Sequence, residues 1–121
     1  MFKKLLFFTL TFALFALAIC DNSITISQTV SSSWEGHSTW EVCLTNTGER
    51  TVKDLTLVVE SGLTLEKPEN FWSMELSSAN RYHFPAWLSQ NGGLKNGTKH
   101  CFGYTNGQTT SAVFSVCDVQ Y

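Results

Sequence analysis

WEVCLTNTG, residues 40–48, decides the fold. Trp40, Val42 and Leu44 alternate with Glu41 and Cys43, the period-two pattern of a strand with one face on a core and the other toward water. Thr45-Asn46-Thr47-Gly48 then reads as a turn, because short polar side chains and glycine accept the tight backbone conformations that branched residues resist. One such strand cannot bury its apolar face alone. Working outward, residues 23–30, 52–60, 74–76, 81–84, 99–104 and 112–119 read as further strands separated by turn residues, and Leu55, Leu57 and Val59 share one face of the second of these. No segment sustains the 3.6-residue period of an amphipathic helix. The expectation is an all-β fold, a single β-sandwich of immunoglobulin-like or jelly-roll-like form.

Upstream, Lys3 and Lys4 precede an apolar run from Leu5 to Leu17 broken only by Thr9 and Thr11, and small residues lead into Asp21-Asn22-Ser23. This order reads as a secretory signal peptide over residues 1–20, followed by one domain over residues 21–121. The apolar stretch is short and confined to the amino terminus, which favours a leader over a membrane span. The expected product is a secreted, extracellular protein. Cleavage after Ala18 keeps Cys20 in the mature chain, and cleavage after Cys20 removes it.

Secretion favours disulfides. Cys20, Cys43, Cys101 and Cys117 allow three connectivities if all four survive. No CxxC pair is present, so a metal site has no support. Cys101 lies opposite in parity to Phe102 and Tyr104, and Cys117 opposite in parity to Val116 and Phe114. If the strands carrying them form a hairpin, Cys101 and Cys117 meet across it, and that pair ranks first.

Losing Lys3 and Lys4 takes Lys+Arg from 8 to 6 against 10 Asp+Glu, so the mature domain carries about −4. An acidic surface without a basic patch argues against nucleic acid, and against anionic lipid or sulfated polysaccharide. An uncharged ligand fits better.

The tryptophans then divide. Trp40 shares parity with Val42 and Leu44 and reads as core. Trp34 stands in Ser31-Ser32-Ser33-Trp34-Glu35-Gly36, Trp72 in Glu69-Asn70-Phe71-Trp72-Ser73 with Phe71 left to face inward, and Trp87 between Pro85 and Asn91-Gly92-Gly93. Any one alone reads at least as well as an aromatic plug at the end of the sandwich. Three in comparable positions suggest a binding face. A hexose ring has C–H groups on its flat faces and hydroxyls around its rim, so an indole covers an apolar face without desolvating a hydroxyl. At roughly 25 cal/mol per Å² over about 100 Å², each platform contributes about 2 kcal/mol before ordering costs. Several platforms on one rigid scaffold act together on a repeating polymer. Ser73, Ser89, Gln90 and Asn91 are the candidates for hydrogen bonds to rim hydroxyls.

Ile26-Ser27-Gln28, Ser33-Trp34, Val42-Cys43-Leu44-Thr45-Asn46, Val52-Lys53-Asp54-Leu55, Phe71-Trp72, Phe84-Pro85-Ala86-Trp87-Leu88, Gly97 and Phe102-Gly103-Tyr104 occur in that order. The pattern resembles carbohydrate-binding module family forty-nine, found on certain plant endoglucanases and in amoebal cellulose-coat proteins and related to the bacterial family-two modules. The resemblance implies a β-sandwich in which three coplanar tryptophans grip crystalline cellulose, and Trp34, Trp72 and Trp87 match those positions. The implied partner is cellulose or another neutral β-glucan. The extra cysteines depart from the family pattern.

Catalysis has less support. A glycosidase needs two carboxyl groups flanking the scissile bond. Glu35, Glu41, Glu60 and Glu75 are available, but solvation is their default role, and the domain is small for a cleft. His37, His83 and His100 lack metal spacing, and no serine lies in a nucleophile elbow. The reading is therefore non-catalytic, with neither metal nor cofactor. The alternative is a secreted immunoglobulin-like protein-interaction domain whose tryptophans serve as hot spots. Asn96-Gly97-Thr98 is an N-glycosylation sequon, expected to point away from the binding face.

Overall fold

The computed structural model describes Cys20 and residues 23–121; the expected signal peptide, Cys20 apart, lies outside the described residues. The strands in chain order are β1 (Ile24–Trp34), β2 (His37–Asn46), β3 (Asp54–Ser61), β4 (Phe71–Trp72), β5 (Glu75–Ser78), β6 (Arg81–His83), β7 (Lys99–Asn106) and β8 (Val113–Gln120). A 3-10 turn (Pro68–Asn70) leads into β4, and a single helical turn, α1 (Ala86–Ser89), lies between β6 and β7. They build two four-stranded antiparallel sheets, ordered β1-β2-β7-β4 and β5-β6-β3-β8. The fold is the expected all-β sandwich.

Strand parity assembles its core. Val42 and Leu44 of β2 and Phe102 and Tyr104 of β7 face Leu55, Leu57 and Val59 of β3 and Val116 of β8, all of them buried. Phe71 bridges the sheets, stacking on Tyr82 at 3.9 Å between centroids. Trp40 is half-buried against this core and donates its indole N–H to Ser38 Oγ at 2.8 Å.

Polar groups inside the sandwich are partnered, as burial requires. The Tyr104 hydroxyl donates to Gln28 Oε1 at 2.7 Å and accepts from the Ala112 N–H at 2.8 Å, while the Gln28 amide donates to the Ala112 carbonyl at 2.7 Å. Desolvation raises the Tyr104 phenol above its ordinary pKa, which keeps it the neutral donor this ring of bonds needs. The turn expected at residues 45–48 begins later, because β2 continues through Asn46. The fully buried Asn46 amide group donates to the carbonyls of Arg50 and Leu94, and its Oδ1 accepts from the Gly48 N–H. Asn106 plays the same part at the end of β7, bonding Gly62, Thr64 and Thr110.

The disulfides are Cys43–Cys101 and Cys20–Cys117, which corrects the expected Cys101–Cys117 pair. The two cysteines do lie opposite the inward residues of their strands, but β7 and β8 belong to different sheets. Both therefore point outward, on opposite surfaces of the sandwich. Cys43 is directly opposite Cys101 in the β2–β7 register, and Cys20 forms a bridge beside β8. Cys20 thus ties the start of the described chain to its last strand.

Candidate functional site

Trp34 reaches the outer face of the sheet through an irregularity. In the β1–β2 pairing Val30 is opposite Trp40, but a bulge at Ser31 shifts the register so that Trp34 is opposite His37. Directly paired residues share a face, so one extra residue transfers Trp34 from the core face to the outer face. Gly36, with φ 75°, turns the chain between the paired residues. The indole lies parallel to the His37 ring, 5.7 Å between centroids and 5° between planes. His37 is itself braced, its Nδ1 3.1 Å from the Glu35 carbonyl and its Nε2 2.8 Å from Glu66 Oε2.

The hydrogen bond to Glu66, then that to the Glu35 carbonyl, raises the His37 pKa above the ordinary 6.5. A raised folded pKa means that protonation strengthens this brace. Its contribution is complete below the unfolded value and fades as pH rises through the folded one. By NMR titration His37 is expected to show a midpoint above 6.5 that moves back toward 6.5 in Glu66→Gln. An unmoved midpoint in that variant would show that Glu66 is not the brace.

Trp72 occupies the outer face of β4 directly opposite Gly103 of β7, and its neighbour Phe71 points into the core. A Cβ at residue 103 would stand only 2.5 Å from the indole Cζ2 and 2.7 Å from Nε1. The ring therefore rests on bare backbone, and any larger residue would lift it.

Trp87 sits on α1, whose first free N–H, that of Ala86, donates to Glu75 Oε2 at 2.9 Å. The chain leaves this turn through Gly92 (φ 101°) and Gly93 (φ 77°), and a Cβ on Gly93 would meet the Val52 carbonyl at 2.3 Å. The segment expected to be a loop is thus a capped helical turn held against the sandwich. Its indole meets the His100 ring edge-on at 5.4 Å. His100 is buried and donates from Nε2 to the Ser73 carbonyl at 2.7 Å. One histidine therefore supports the chain just after Trp72 and the ring of Trp87 together.

Trp34, Trp72 and Trp87 are 48 %, 42 % and 57 % exposed. Against β7 as a ruler they fall one residue beyond the level of Asn106, at Gly103 and beside His100. Steps of four and three residues correspond to roughly 13 and 10 Å along the strands. Trp34 and Trp72 rise from the outer face of the first sheet, and Trp87 stands on the connection that brings the chain over from the second sheet.

The polar candidates near Trp87 are partly committed. Ser89 Oγ donates back to the Ala86 carbonyl at 3.4 Å, the Asn91 side-chain amide donates to the Trp87 carbonyl, and Gln90 is exposed. Ser73 is exposed with φ 67°, its carbonyl taken by His100. Asn96 lies exposed in the turn before β7, where Thr98 bonds back to Lys95. Sequence reasoning tested His37 and His100 only as metal ligands and missed them as supports. Their closeness to Trp34 and to β7 was visible, but not the contacts.

The profile described as "Carbohydrate binding domain CBM49" matches residues 24–108. The chain belongs to this family. The match runs from the first residue of β1 past the end of β7, so it contains all three exposed tryptophans and their supports. This CBM49 domain is a carbohydrate-binding module, as the sequence resemblance implied. No curated protein matches the chain.

Proposed function

We propose that this protein is a secreted, non-catalytic module that binds cellulose or a related neutral β-glucan through Trp34, Trp72 and Trp87, in an extracellular matrix, coat or wall. The observation that carries the reading is the contrast among the four tryptophans: three stand exposed on buttressed supports, while Trp40 packs on the core. Steps of roughly 10 Å or more let each indole meet a different sugar of one extended polymer. Ser73, Ser89, Gln90 and Asn91 supply polar groups around Trp72 and Trp87. Secretion is supported by the two disulfides, which persist in oxidising compartments. Leader cleavage after Ala18 suits the Cys20–Cys117 bond, since the mature chain then keeps Cys20. The intact mass of the secreted protein reports the cut, and a product beginning at Asp21 would refute it. A glycan on Asn96 is expected to leave binding intact.

Sedimentation with microcrystalline cellulose, chitin and soluble glucans tests the function. Retention on cellulose is expected, and it should survive high salt because stacking and neutral hydrogen bonds are weakly screened. Affinity that collapses with salt would indicate a charged ligand. No retention on any glucan, with a protein partner recovered instead, would establish the protein-interaction alternative.

A further inference from the structure

We propose that the groove beside Trp72 is a sugar subsite in which the Glu41 carboxylate grips the hydroxyl edge of the ring seated on the indole. The inference rests on the carbohydrate reading of Trp72 and adds a specificity-determining residue to it. The groove, ≈ 280 Å³, lies over the first sheet and is lined by Ser31, Thr39, Glu41, Cys101, Gly103 and Trp72 among others. Register explains its shape. Glu41 of β2 and Trp72 of β4 are each directly opposite Gly103 of β7, one from either side. The three residues form a single rank on the outer face, with neighbouring strands roughly 5 Å apart. Because Gly103 has no side chain, the indole lies down over the strand, and the groove runs between the ring and Glu41.

The hydroxyls of this groove are engaged. Ser31 Oγ donates to the Thr39 carbonyl at 3.1 Å, and the hydroxyls of Thr39 and Thr105 bond each other at 3.0 Å. Among the described residues no cation pairs with Glu41; its exposed side chain faces solvent at the mouth of the groove. An ionised carboxylate only accepts, and its two oxygens take O–H donors side by side. Adjacent hydroxyls on a pyranose present two such donors, and charge-assisted hydrogen bonds are about twice as strong as neutral ones. Stacking on Trp72 holds any sugar with a flat apolar face, whereas Glu41 selects one whose neighbouring hydroxyls reach the rim. The same charge repels uronic acids and sulfated sugars.

Binding isotherms on microcrystalline cellulose for wild type, Glu41→Gln, Trp72→Ala and the double variant test this, with unfolding midpoints for each. Glu41→Gln keeps the shape and removes the charge, so it is expected to weaken binding about tenfold with an unchanged midpoint. In the Trp72→Ala background the same change should cost much less, because the ring it grips is no longer held there. Wild-type affinity in Glu41→Gln, alongside lost affinity in Trp72→Ala, overturns the subsite and leaves the platform reading standing. Equal losses from Glu41→Gln in both backgrounds also overturn it. Wild type that no neutral glucan retains removes both.

Discussion

Phe71→Ala is expected to destabilise the domain by about 3 to 5 kcal/mol, the cost of deleting a well-packed core aromatic and leaving its cavity. The ring is the hub of the cluster joining the two sheets. It stacks on Tyr82 at 3.9 Å, lies near Phe102 and Tyr104 at 5.3 and 5.9 Å, and meets Phe114 edge-on at 6.2 Å. No neighbouring element can collapse into the gap without pulling one sheet toward the other. In a domain of this size each kcal/mol moves the melting midpoint by about 4 to 8 °C, so thermal unfolding followed by circular dichroism should show a drop well beyond about 10 °C. Because β4 has two residues, Phe71 is also the anchor of the strand that carries Trp72. Phe71→Leu, which retains most of the volume, should recover much of the loss. A Phe71→Ala midpoint close to wild type would mean that the cluster does not tie the sheets together.

The neighbours on β4 show what a sequence can and cannot reveal. Opposite roles for Phe71 and Trp72 were legible, because adjacent residues in extended chain point to opposite faces. The strand itself was not, because two residues are too short for any period to register. Trp34 illustrates a second limit. Its place on the outer face follows from the bulge at Ser31, a feature of how β1 pairs with β2, and unbroken parity would have set the ring on the other face of the strand, that of Val30. The cysteines mark a third. Parity placed Cys101 and Cys117 on the outward faces of their strands, yet which strands are neighbours is a property of topology, and only that separates Cys43–Cys101 from Cys101–Cys117. Asn46 was read as a turn residue for its polarity. Its buried amide instead closes the strand by bonding the turn's own backbone. The alternating strands, the core and the three exposed indoles were visible in composition and order; the bulge, the glycine seat at residue 103 and the histidine supports depend on contacts across the sheet.

The double variant Trp72→Ala with Trp87→Ala is expected to abolish retention on cellulose while the protein stays folded. Each indole is assigned about 2 kcal/mol of stacking, so losing both weakens binding by about three powers of ten, since each 1.4 kcal/mol is tenfold. The single variants should each lose about thirtyfold, and Trp87→Tyr should keep much of the affinity because a smaller flat ring still covers part of a sugar face. Stability should barely respond, since both rings are exposed and their supports, Gly103 and His100, belong to β7 rather than to the indoles. Trp40→Ala is the opposing control: its ring packs on the core and its N–H holds Ser38, so that variant should melt early and bind normally while folded. Cellulose partition and melting, measured on the same preparations, separate the two roles. If Trp87→Ala melts early yet binds like wild type, then the ring beside His100 is a plug closing the end of the sandwich, and the binding face shrinks to the outer surface of the first sheet.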